Sequence, residues 1–169
     1  MRDYQKYLSE VLGVQEILLG EGEAVRNSDA APAGTHFYSK SGAFEFPSDA
    51  NFELVFLNIL SQSKESLFIP EVEDLFGKMK AAMRLKNIQI LELDVTLEDR
   101  TLLPSEFLKH CRARMIVVFS SFPKDIGEII IKGSSRWIET YSPSYLLEDA
   151  GAKKVVWNDL QKVMKELAL

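Results

Sequence analysis

The residues of this chain with the most chemical potential sit where strands give way to turns. "ETYSPSYLLED", residues 139–149, closes a β-type run on Ser142-Pro143-Ser144. Pro143 cannot continue a ladder, so the chain turns there, at the kind of place where an enzyme mounts a catalytic side chain. Ser142 and Ser144 have the hydroxyls of serine nucleophiles, but a nucleophile needs a base and an oxyanion hole close by. Glu65, in the loop "LSQSKESLFIP", has the chemistry of such a base; a solvated loop acid is the simpler reading. Glu92, Asp94, Glu98 and Asp99 follow a later strand and have oxygen ligands suited to magnesium, yet their spacing fits no metal-binding loop. The two histidines, His36 and His110, lie away from strand ends in this reading, and His110 falls in a helix beside Cys111.

The composition narrows the classes. The chain has 169 residues, 46% of them hydrophobic, which fits one folded domain. A single cysteine excludes an internal disulfide and an all-cysteine metal or iron–sulfur site, and two histidines make a zinc site unfavoured, so neither metal nor other cofactor is expected. No apolar run reaches the roughly 18–20 residues of a membrane span. "MRDYQKYLSEVLG" has no apolar core or cleavage site of a signal peptide, so a reduced, cytoplasmic compartment is expected, with no membrane association. A net charge of −5 argues against a strong grip on DNA, leaving at most weak binding. Lys78, Lys80, Arg84 and Lys86 form a local basic cluster that also reads as a solvated helix face.

The elements that must position these groups follow from periodicity. Tyr4, Tyr7, Leu8, Val11 and Leu12 recur at helical spacing before Gly13, giving an N-terminal amphipathic segment within 1–19. This is a candidate partner-binding element, though it is equally suited to packing on its own domain. Residues 20–51 lack apolar period and read as a loop or linker. From 52 to 169 the pattern alternates: strands near 53–59, 88–94, 114–119 and 136–141, and helices over 71–83, 104–112 and 152–167. The strands at 53–59 and 114–119 are too apolar to alternate and so are buried on both faces. The inner helix stripes are Val72, Leu75, Phe76, Met79 and Met83, and later Val156, Leu160, Val163 and Leu167. The expected fold is a three-layer α/β/α domain with a short, mainly parallel sheet, its ligand site at the carboxyl ends of the strands.

"TYSPSYLLEDAGAKKVVWNDLQKVMKEL" resembles the closing block of the uracil-DNA glycosylase superfamily, above all its iron–sulfur-containing family. There a strand ends in His-Pro-Ser or His-Pro-Ala and a helix with a "K..VW.DL.KV" pattern follows. "LFIPEVEDLFGKMKAAMRLKNIQILELDV" and "FLKHCRARMIVVFSS" are loosely similar to upstream blocks of that family, so the resemblance spans about residues 52–167. It implies a uracil-DNA glycosylase-like fold with a degenerate site. The family's catalytic histidine falls at Ser142, its uracil-reading asparagine at Glu92, and its base-stacking phenylalanine at Phe68, which also reads as a core residue. Its Gly-Glu-Ala-Pro-Gly turn is replaced by "NILSQSKES", and its cluster cysteines are missing.

The resemblance therefore implies a non-catalytic interaction subunit in bacterial DNA replication or repair, with a protein partner in a clamp-loader or repair complex. The psi subunits of bacterial clamp loaders, which share this fold without the catalytic residues, open with a segment similar to "YQKYLSEVLGVQEILL". The alternative is a divergent DNA glycosylase excising a flipped damaged base, with Glu65 or Glu92 acting beside Ser142.

Overall fold

A computed structural model describes residues 34–169. The chain builds β1 (His36–Ser39), β2 (Gly42–Ala43), β3 (Ala50–Ile59), α1 (Pro70–Ala82), β4 (Ile90–Thr96), α2 (Leu103–Leu108) and β5 (Cys111–Ser120). It continues with β6 (Ile129–Lys132), β7 (Ser135–Tyr141), α3 (Pro143–Glu148) and α4 (Lys153–Leu167). The seven strands form one mixed sheet in the order β2-β1-β4-β3-β5-β7-β6. Its centre, β4-β3-β5-β7, is parallel; β1, β2 and β6 pair antiparallel at the two margins.

Helices cover both faces, as alternating strands and helices require, but the two layers differ in weight. Leu54 and Phe56 of β3, Met115, Val117 and Phe119 of β5 and Ile138 of β7 point to the face covered by α1, α3 and α4. The opposite parity, including Val55, Leu57, Ile116 and Trp137, is covered among the described residues mainly by Leu103, Phe107 and Leu108 of the six-residue α2, by Leu97 and by the aromatic segment after β2. β3 and β5 are buried on both faces because they occupy the centre, which explains their unbroken apolar runs.

Pro70 opens α1 at a position where its missing N–H costs no hydrogen bond, and Glu71 and Glu73 sit in its first turn, where the helix dipole favours acids. In α4 the inner stripe falls as its spacing predicts: Val156, Leu160, Val163 and Leu167 are all buried, and Ala168 ends the helix in a left-handed conformation. Leu160 is 1% exposed. Leu160→Ala is expected to cost about 2–5 kcal/mol, the range for a large-to-small change in a packed core, read as a lower denaturant midpoint at unchanged slope. A loss near zero would mean that this stripe does not hold the domain together.

Two local expectations are corrected. The described part of the stretch read as a loop, 34–51, contains β1, β2 and the start of β3. Strands of four and two residues leave no readable period. They form because Phe37 is buried against Phe46 and Phe107, and because His36, Phe37 and Tyr38 pair with Thr96, Val95 and Asp94. The second helix stops at Leu108 rather than running through Arg112. His110 lies in the turn beyond it and stacks on the Phe46 ring at 5.0 Å, while buried Cys111 begins β5 opposite Ala50. Tyr4, Tyr7, Leu8, Val11 and Leu12 lie outside the described residues.

Candidate functional site

Parallel strands end at one edge, so polar residues near the ends of the central strands gather there. Three connected groups result.

The first joins β3 to β4. Asn58 and Asp94 are register partners and both are fully buried. The Asn58 amide donates to Asp94 Oδ1 at 2.8 Å and to the Glu65 carbonyl at 2.9 Å. Asp94 also accepts from the Leu67 backbone N–H at 3.1 Å and, through Oδ2, from the Ser66 hydroxyl. Among the described residues this carboxylate receives these three donors, and it ties the loop after β3 to the strand ends. The Asn58 Oδ1 atom is buried with no partner among the described residues.

The second group contains the serines. Glu65 is only 7% exposed, not the solvated loop acid its surroundings in sequence suggest. Its Oε2 accepts from the Ser61 and Gln62 backbone N–H groups at 2.6 and 2.9 Å, and its Oε1 accepts from the Ser121 hydroxyl at 2.8 Å. Ser121 Oγ lies 3.4 Å from Ser142 Oγ, which lies 2.9 Å from Ser144 Oγ. Ser142 is fully buried and is the N-cap of α3, accepting from the Tyr145 N–H at 3.3 Å. A cavity of about 240 Å³ adjoins this chain of hydroxyls, lined by Ser61, Glu65, Ser121, Ser144 and Tyr145 among others.

The third group fastens α4 to β7. Buried Asp159 accepts from Thr140 Oγ1 at 2.8 Å and from Lys162 at 3.1 Å; Lys162 also donates to the Gly127 carbonyl at 2.8 Å. Gly127 has φ +73°, and a Cβ there would come within 2.4 Å of Asp159 Oδ1. Gly127→Ala therefore combines an unfavourable backbone with a collision against a buried carboxylate. A loss of about 1–3 kcal/mol is expected, measured by thermal or urea unfolding. An unchanged midpoint would show that this contact relaxes freely.

On the opposite face, Arg100 ion-pairs with Glu139 and donates to Ser120 Oγ at 3.2 Å and to the Phe122 carbonyl at 2.9 Å. Burial pulls the Arg100 pKa below its ordinary value. A second cavity of about 250 Å³ lies there, lined in part by Trp137 and Ile130, and the Trp137 indole N–H has no partner among the described residues.

Of the candidates named from sequence, the structure brings Glu65, Ser142 and Ser144 together and places Glu92 and Phe68 elsewhere. Glu92 stands within β4 rather than at its end. It pairs with Lys80 and shares a separate cavity with Phe68, whose ring packs at the margin of the α1 core. Asp94, two residues further along β4 and two before its last residue, is the carboxylate that joins the strand ends. Glu92, Asp94, Glu98 and Asp99 do not converge: no cluster of three or more potential metal ligands exists among the described residues. Asp99 instead caps a short 3-10 turn, where the Thr101 hydroxyl and N–H hold its carboxyl below the usual range. In the basic cluster, Lys78 pairs with Asp74 and Lys80 with Glu92. His36 does stand at a strand end, opposite Thr96, but β4, β3 and β5 separate β1 from β7 and Ser142.

Asn58, Ser121, Thr140 and Asp159 were not singled out from sequence. Their signal is a polar residue inside an otherwise apolar run, as in "VFLNIL" and "VVWNDL". No protein-family model matches this chain, and no curated protein matches it. Among the described residues, no helix is long and apolar enough to cross a membrane.

Proposed function

We propose that this chain is a non-catalytic interaction protein on a uracil-DNA glycosylase-like scaffold, serving a protein assembly that acts in DNA replication or repair. The observation that carries this reading is how the polar groups at the strand ends are used. A catalytic group must be reachable by substrate and free to exchange a proton or bond. Ser142, at the position matching the family's histidine, is fully buried and caps α3. Both oxygens of Glu65, the acid joined to Ser142 through Ser121, already accept hydrogen bonds, one from its own loop and the other from Ser121. These groups stabilise turns, which is what remains useful in a glycosylase-like site once chemistry is no longer required.

The negative balance of the chain fits a protein partner better than a DNA backbone. Residues 3–12 supply the element proposed to engage that partner. The test is an excision assay on single- and double-stranded uracil-containing oligonucleotides, with the wild type and Ser142→His. Turnover by the wild type would replace this reading with that of a divergent glycosylase.

A further inference from the structure

The margin of the sheet at β6 is a short edge, apolar except for its last residue. Edge strands present unpaired backbone groups and are blunted by shortness, charge, proline or a bulge; β6 has shortness and a single lysine, which leaves three isoleucines along the edge. β6 reads Ile-Ile-Ile-Lys, and Ile131 is 71% exposed. On its outer side β6 pairs with none of the described strands. The two-residue turn Gly133–Ser134, with Gly133 at φ +62°, joins Lys132 to Ser135 in register. In such a hairpin the residues flanking the turn bond each other, and bonding alternates along the ladder. Ile130 therefore directs its backbone groups at β7, whereas Ile129 and Ile131 direct theirs outward.

We infer that β6 pairs antiparallel with β6 of a second copy of this chain, in a register centred on Ile130. The sequence around the edge is self-complementary in that register and less so in its neighbours. Ile129 of each copy falls opposite Ile131 of the other, the two positions whose N–H and C=O groups point outward, so hydrogen-bonded pairs form on both sides of the centre. Ile130 meets its own counterpart. Glu128 falls opposite Lys132 at each end, giving two ion pairs related by symmetry. Both residues are exposed, and neither has an ion-pair partner among the described residues; Lys132 lies 5.9 Å over the Trp137 ring. A centre shifted by one residue to Ile131 would set Lys132 against Ile130 and leave Glu128 unpaired. Isologous pairing of one edge closes after two copies and covers both exposed edges at once.

The test is sedimentation equilibrium of the full chain across a wide concentration range. A reversible monomer–dimer equilibrium is expected. Glu128→Lys and Lys132→Glu each place like charges opposite one another at both ends, and each should weaken dimerisation by roughly tenfold. The double change restores opposite charges and should recover the wild-type constant. Because a merely structural effect of either change would not be rescued, the double variant separates pairing from damage.

Ile130→Cys provides a second measurement. Directly opposed residues of a non-hydrogen-bonded pair have Cα atoms about 4.5 Å apart, within disulfide reach, so mild oxidation should give a covalent dimer. The native Cys111 is buried, with its thiol pushed up to about 12 by burial, and does not compete. Three results would overturn the inference. One is a monomer at all concentrations, as when residues 1–33 of the same chain close this edge. The others are a dimer indifferent to both single charge changes, and a double change no better than either single one.

Discussion

Uracil-containing oligonucleotides are expected to come through incubation with this protein intact, single- or double-stranded, and Ser142→His is expected to change nothing. Excision of uracil places negative charge on the departing base and positive charge on the sugar, so a catalyst must bind both better in the transition state than before it. At the end of β7 a buried, neutral serine hydroxyl stands where the resemblance implies an imidazole. Losing one anion-stabilising donor typically costs about 100- to 1000-fold in rate. Losing the group that positions and activates water removes a further contribution of about 100- to 10,000-fold. Glu65 does not replace it, since its oxygens are bound to Ser61, Gln62 and Ser121.

Together these losses amount to roughly ten-thousand-fold or more, although such effects are often not additive. A histidine at 142 would restore one donor but not the water-activating acid, and would displace the N-cap of α3. Measured by alkaline strand cleavage, no product above the protein-free control is expected from either form. Rescue by Ser142→His alone would show that the remainder of a catalytic site is intact.

Asp94→Ala is expected to give the largest loss of stability of any single polar substitution at the strand ends, about 3–5 kcal/mol, because three buried donors lose their acceptor at about 1–3 kcal/mol each and packing recovers part of that. The carboxylate is fully buried and receives donors from Asn58, Ser66 and the Leu67 backbone. Removing it leaves those donors without their acceptor, and each buried unsatisfied group costs about 1–3 kcal/mol. Asp94→Asn keeps one acceptor oxygen and should lose less. Urea unfolding measures both, and amide hydrogen exchange in residues 60–69 should quicken in Asp94→Ala, because Ser66 and Leu67 tether that loop. A loss below about 1 kcal/mol for the alanine variant would show that the loop is held by packing alone.

Both predictions depend on residues whose role the sequence conveys unequally. Periodicity alone located the central strands, α1 and α4, because long apolar runs and stripes arise only when an element must be buried on a defined face. Val156, Leu160, Val163 and Leu167 are the clearest case. The turn at Ser142-Pro143-Ser144 was also legible, since proline dictates where a strand must stop whatever surrounds it.

What only the tertiary structure decided is which polar groups meet. β1 and β2 exist because Phe37 finds Phe46 and Phe107 and because β4 offers an edge; four residues of sequence hold no trace of either partner. Glu65 and Glu92 look alike as acids near strand ends, yet one is enclosed by backbone donors beside the serines and the other faces Lys80. Asp94, two residues beyond Glu92, is the carboxylate that binds the strand ends together. A side chain's periodicity is a local property carried by its own segment, whereas its hydrogen bonds depend on register between strands far apart in sequence, and register is fixed only when the whole sheet has assembled.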